Sequence, residues 1–385
     1  MFDERRPSLI FSKAKKIPKK YISLQKELKE RLQTIGHEIH LNEKEDKIVA
    51  RIRSVTKELN RNNLTRTAAY LEFYKRNPEV DWAFLAHMVS RNTGWNMTDL
   101  KGSFLPKLMT KEECDDFYAF LERGNWVIFE DAYPQLLLYE KSKHDQHNYF
   151  HLLSFFHVSI FMEVLWSSFL QRSDSEMITL ALVVNEQSHL EQAVMRNAHF
   201  KKRVLDKIEF KLQDLLSMNQ ILFPFESDDE LVSLRGRTIH QFEDLDSRIN
   251  IGRYLYALLF DSNHLEDTMH WAVQTAHTGS RMDYWPHLFN LVNEEIPGKK
   301  RMHSRFKNGL LKDGEARVYS PLWQYAWKDL SQTPASHAEW FKDTEVLSYL
   351  VNLDAEEHEL IEKEYFRTLE KLEYTVMAKN AATLF

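Results

Sequence analysis

Cysteine is almost missing from this chain of 385 residues: Cys114 stands alone. That excludes an internal disulfide framework and a zinc site built on several thiolates. Glycine and proline are also scarce, with ten of each. So few turn-formers imply long regular elements and disfavour sandwiches and propellers. There is no uninterrupted apolar stretch of the roughly 20 residues that a bilayer span needs. The nearest approach, Phe150 to Leu170, contains His151, His157, Glu163 and four serines, and it reads as a buried helix. The opening residues, MFDERRPSLIF, lack the apolar core of a signal peptide. The expectation is a cytoplasmic protein with no transmembrane segment.

The formal net charge is −6, unevenly spread. Residues 1–30 hold nine Lys/Arg against four Asp/Glu, and residues 299–317 hold seven against two. Both are basic patches in an otherwise acidic chain. They are candidates for contact with nucleic acid or an anionic membrane, through residues 13–20 and 299–312. The plainer reading is a solvated arm and a solvated loop. What the chain has in quantity is aromatic residues, 24 Phe, 15 Tyr and 9 Trp, ample for a large core.

The patterning is helical throughout. Asn42 with Glu45, and Thr110 with Glu113, have the spacing of capping boxes. Behind Asn42, residues Ile48, Val49, Ile52, Val55 and Leu59 share one helix face. The helix behind Thr110 is expected to stop at Gly124, and Pro134 to open the next. Two helices, over 66–76 and 80–90, are expected around Asn77-Pro78, with an irregular stretch over 91–109. Residues 145–171 and 174–198 read as a central helical hairpin whose second arm, capped by Ser173 and Glu176, is apolar on all sides from Met177 to Val184. Further helices are expected behind Val204, from Ile251 to Ala276, and over 354–378 with the stripe Ile361, Tyr365, Leu369, Leu372 and Val376. No period-two alternation stands out. The expected fold is all-α, ten or more helices without significant β-sheet. Its divisions are a basic arm (1–19), an N-terminal helical region (20–105), a central bundle (106–295), a basic loop (296–320) and a C-terminal helical region (321–385), with 20–385 able to form one unit.

Four strings are distinctive: Arg66-Thr67-Ala68-Ala69-Tyr70, Trp82 to Ala86, Ser90 to Leu100, and His277 to Pro286. In these the chain resembles an uncharacterised family from spore-forming Gram-positive bacteria, over about residues 40 to 330. The resemblance implies a bacterial intracellular protein. It carries over no catalytic residue, since the family is described only as a domain of unknown function.

Three constellations could carry chemistry. Glu186-x-x-His189 and Asp261-x-x-His264 repeat one spacing, which places two ligands on one helix face and suits iron, manganese or zinc. Both pairs, however, fall on the flanks of their apolar stripes, where a histidine ordinarily makes hydrogen bonds, and Glu163 sits at the wrong depth to bridge them. His144, His147 and His151 would share a face of a continuing helix, with Asp145 near; the plain alternative is the polar start of a helix. His358 falls on the C-terminal stripe. The third constellation is the pair of polar and aromatic stretches. Arg91, Asn92, Trp95, Asn96 and Asp99 crowd the first, and His277, Ser280, Arg281, Asp283 and Trp285 the second, with Gly94 and Gly279 available for positive φ. They are candidates for a binding site, or for caps and Arg–Asp staples that fix helix packing. Cys114 precedes Asp115 and Asp116, which disfavours a nucleophilic thiolate. No GxSxG, HExxH or P-loop pattern occurs.

The sequence does not determine a biochemical activity. The leading expectation is a helical protein that binds a small ligand or a protein partner through 91–99 and 277–286, without a cofactor. The rivals are a metal-dependent enzyme using Glu186, His189, Asp261 and His264, and association of the basic patches with nucleic acid or anionic membrane.

Overall fold

The computed structural model describes residues 17–33, 40–206, 220–227, 232–239, 244–260, 263–296, 301–307, 309–335, 339–351 and 360–382. Local signals are obeyed where side chain and backbone agree. Asn42 and Thr110 each close a full capping box, with Glu45 and Glu113. They open α2 (Glu43–Leu59) and α6 (Lys111–Asp145), after α1 (Ile22–Gln33). A further box, Asn62 with Thr65, opens α3 (Asn63–Arg76).

The centre is α8 (Ser175–Leu190), buried without interruption from Met177 to Asn185. It is enclosed by α4 (Asp81–Asp99), α6, α7 (Ile160–Arg172) and α10 (Leu245–Phe260). A helix apolar on all sides needs such a jacket. Its N-cap is Asp174 rather than Ser173, which instead ends α7 with φ 53°. One apolar cluster runs from Tyr21 to Val376, so both ends of the described chain share the same core.

Several expectations are corrected. The helix of Thr110 does not stop at Gly124: α6 runs 35 residues through Gly124 and Pro134. An internal proline costs about 3 kcal/mol, but Val127, Phe129, Leu136 and Leu138 around it are fully buried, and their burial offsets that cost. The first arm of the hairpin is not one helix over 145–171. The chain leaves α6 through Gln146 at φ 52°, makes a 3-10 turn over Phe150–Phe156, and enters α7 only at Ile160. The helix of 251–276 is two, α10 and α11 (Leu265–Gln274). Residues 207–219, most of the helix expected behind Val204, lie outside the described residues, as does His358. The C-terminal helix is α13 (Glu362–Ala382), and all five stripe residues are buried. Between it and α12 (Trp323–Ala326) the described chain has no α-helix, so 321–385 is less helical than expected.

The fold is largely helical rather than strictly all-α. Strands β1 (Gln220–Phe225) and β2 (Ser233–Thr238) form an antiparallel hairpin; β3 (Phe289–Asn290) pairs with β6 (Val318–Tyr319) in parallel, and β4 (Phe306–Lys307) with β5 (Leu310–Leu311) antiparallel. Pro224 argues against a central strand, but a two-stranded sheet has only edges, where proline is tolerated.

Candidate functional site

Residues 91–99 are not an irregular stretch. They are the last turns of α4, and their polar groups are buried because they meet partners far along the chain. At Gly94, α4 comes close to Asn63 and His277. A Cβ there would lie 2.3 Å from Asn63 Oδ1 and 2.4 Å from His277 Nε2. Those two atoms hydrogen-bond each other at 2.9 Å. Asn92 clamps the backbone of β1, accepting from Leu222 N and donating to Leu222 O, each at 2.8 Å. Arg91, 1% exposed, lies over the Trp271 ring and donates to the carbonyls of Ala272 and Thr275. It thereby covers the negative C-terminal end of α11. Its Nε donates to His87 Nε2 at 2.9 Å, so His87 carries its proton on Nδ1 and gives it to Thr67 O. Burial, then the nearby Arg91, holds His87 well below the usual histidine range, consistent with a neutral ring.

The second stretch locks onto the end of this helix. Gly279 takes φ +82°, and its carbonyl accepts from Thr98 Oγ1 at 2.5 Å. Ser280 Oγ donates to Ser320 O, and Ser320 Oγ accepts from Arg281 N. Arg281 is the keystone. Nε donates to Asp99 Oδ2 at 2.7 Å, Nη2 to Asn96 Oδ1 at 2.9 Å, and Nη1 to the hydroxyls of Tyr284 and Tyr365 at 2.8 and 3.0 Å. Burial opposes its charge, but Asp99 and the two tyrosines outweigh that and hold its pKa well above the ordinary value. Asp283 accepts from Trp95 Nε1 and from both Thr278 donors. Trp285 Nε1 donates to Val232 O. Trp95, Asn96 and Asp99 thus meet His277, Arg281 and Asp283 directly, while Arg91, Asn92, Ser280 and Trp285 tie neighbouring segments to the same joint.

The joint opens beside Asp99. Asp99, Arg281 and Tyr365, with Ser103, Tyr319 and Thr368, line a cavity of about 20 Å³, room for a single water-sized group. Asp99 is 22% exposed at its side chain, and its Oδ1 accepts no hydrogen bond from the described residues. Its walls are the end of α4, the one-turn α5 (Leu105–Leu108), β3, β6 and α13.

The acid-x-x-His pairs have dissimilar surroundings. His189 is 6% exposed at its side chain, stacks on Trp340 at 4.8 Å and lies 3.8 Å from Asp131 Oδ1. His264 is 43% exposed, precedes α11 and leans on Phe225 and Asp267. Asp261 lies outside the described residues. Among the described residues no three His, Cys, Asp or Glu side chains are arranged to hold one ion. Glu186 belongs instead to an acidic centre that sequence reasoning missed. Asp131 is 3% exposed and accepts from Gln135 and Asn185 at 2.8 and 2.6 Å. Burial pushes Asp131 up to about 7 and Glu186 up to about 8. The available signal was the run Asp131…Gln135, one helical turn apart, inside an apolar segment.

The histidine trio is dispersed, because Gln146 turns the chain out of α6. His144 meets Asp145, His147 packs on Tyr149, and His151 bonds Glu45 across at α2. Cys114 is buried. In the basic loop the arginines are largely neutralised. Arg305, 1% exposed, pairs with Glu373 at 2.5 Å and Glu295 at 2.6 Å; Arg301 pairs with Glu315 and Arg317 with Glu294.

Comparison with known proteins agrees with the resemblance read from the four strings. Residues 58–368 match a family described as "Protein of unknown function (DUF2515)". The chain is 40% identical over 237 residues to the uncharacterized protein YppC of Bacillus subtilis (strain 168), covering 62% of this chain and 73% of that protein. No solved structure matches.

Proposed function

The chain belongs to the DUF2515 family, for which no function is described, and we propose that it is a cytoplasmic binding protein for a small hydroxyl- or amino-bearing ligand. The observation that carries this reading is convergence: Asp99 and Arg281, from the two polar stretches, line one crevice. Arg281 is spent on four partners, so an anion finds no free cation there. The Asp99 carboxylate, with Thr368 and Tyr319 in the same lining, suits a donor. About 20 Å³ admits only a head group; the rest of such a ligand lies at the rim, beside α13.

The test is ligand-observed NMR against small alcohols, polyols and amines. Binding by the native chain, abolished by Thr368→Leu, which fills the crevice without removing any hydrogen bond described here, is the expected result. No binding across the panel, or binding that Thr368→Leu leaves intact, refutes the reading.

A second reading rests on a different observation. Burial raises the carboxyls of Asp131, which lies 3.8 Å from His189, and of half-buried Glu186, to about 7 and about 8, the range in which acid–base groups work. This reading covers the enzyme alternative, with or without iron, manganese or zinc at Glu186 and His189. Elemental analysis of untagged protein and titration with each metal test the metal-bound form, which stoichiometric metal supports and a metal-free, non-binding chain removes.

A further inference from the structure

We propose that the β4–β5 hairpin and the segment around it dock the protein on an anionic lipid surface. The register pairs Phe306 with Leu311 and Lys307 with Leu310. Paired residues share a face and neighbours alternate, so Lys307 and Leu310 point together, away from buried Phe306. Leu310 is 69% exposed. Gly309, at φ +78°, stands clear of the body: a Cβ there would meet nothing within 4 Å. Val292, Ile296 and Met302, at 66%, 63% and 51% exposure, belong to the same stretch. A lone exposed aliphatic residue is ordinary, but four in one short segment mark a contact surface.

The charge left over is basic. Glu294, Glu295 and Glu315 are each engaged by Arg317, Arg305 and Arg301. In the sequence that leaves Lys299, Lys300, Lys307 and Lys312 against Asp313; Lys307 is exposed, Lys312 donates to the Ser304 carbonyl, and Lys299 and Lys300 lie outside the described residues. Buried Arg305, bonded to Glu373 on α13 and to the carbonyls of Ala316 and Arg317, anchors the segment to the body. Exposed aliphatic side chains in a segment with surplus lysine fit the boundary between acyl chains and anionic head groups. Nucleic acid fits less well, because the arginines that would fork onto phosphates are already paired and the exposed side chains are aliphatic rather than stacking aromatics. Attachment is peripheral: no described helix is long and apolar enough to cross a membrane.

Co-sedimentation of the full chain with vesicles tests this. Binding is expected to vesicles of phosphatidylcholine mixed with phosphatidylglycerol, not to phosphatidylcholine alone, and to fall with salt. Lys307→Glu and Leu310→Asp are each expected to weaken it at least about tenfold, the first by reversing a charge at the anionic surface and the second by removing an apolar contact and adding a like charge. Their unfolding midpoints should not move. No partition onto the mixed vesicles overturns the proposal. So does partition that both variants retain, which would assign it to residues 1–20, or retention on single-stranded RNA in place of lipid.

Discussion

Asp131→Asn should stabilise this protein in alkali while leaving it little changed in acid. The Asp131 carboxyl holds its proton to about pH 7 when folded, against 3.8 as its ordinary value. The unfolded chain therefore releases a proton that the folded chain still binds. A carboxyl raised in this way contributes fully to stability below about pH 4, and its contribution is lost as pH rises through about 7. The difference is about three pH units at about 1.4 kcal/mol each, or about 4 kcal/mol. Asn keeps an oxygen to accept from Gln135 and Asn185 and has no charge to bury. Urea unfolding of both proteins across pH 5 to 8.5 would show the native chain losing stability steeply and the variant much less, with Glu186 sustaining the residual slope. Parallel pH profiles would refute the reasoning, because they would mean that Asp131 is ionised and compensated throughout.

Two further outcomes follow from the joint. Tyr365→Phe removes a hydroxyl bonded to both Arg281 and Tyr284 and should lower stability by about 1–2 kcal/mol in urea unfolding; an unchanged midpoint would place that hydroxyl in water. Gly94→Ala adds a methyl where Asn63 and His277 leave no room. It should cost about 1–3 kcal/mol and be seen as a lower thermal midpoint, whereas an exposed α4 would gain from alanine.

What the sequence revealed was local or periodic. Asn42 with Glu45 needs only its own four residues to cap a helix, and Met177 to Val184 could not be solvated on any side. The course of α4 was hidden because its last turns carry Arg91, Asn92, Asn96 and Asp99, residues that read as a loop unless their partners are known. Those partners, at 222, 272, 275 and 281, lie well over a hundred residues downstream. That the two polar stretches belonged together was legible from their composition; that they meet as a buried joint was not. Pro134 misled for a related reason, since its local cost is outweighed by the burial of the side chains around it. The shared histidine face failed at one left-handed residue, Gln146, which no spacing rule marks. Asp131 drew no notice because a lone carboxylate in an apolar helix announces neither its burial nor its partners.

The central claim is that 91–99 and 277–286 form one joint pinned by Arg281 on Asp99. A double-mutant cycle on Asp99→Ala and Arg281→Ala, read by equilibrium unfolding, tests it directly. The two losses should be non-additive by about 2 kcal/mol, within the range for contacting buried pairs. Additive losses would mean that the two side chains do not meet in solution, and the joint and its crevice would fall together.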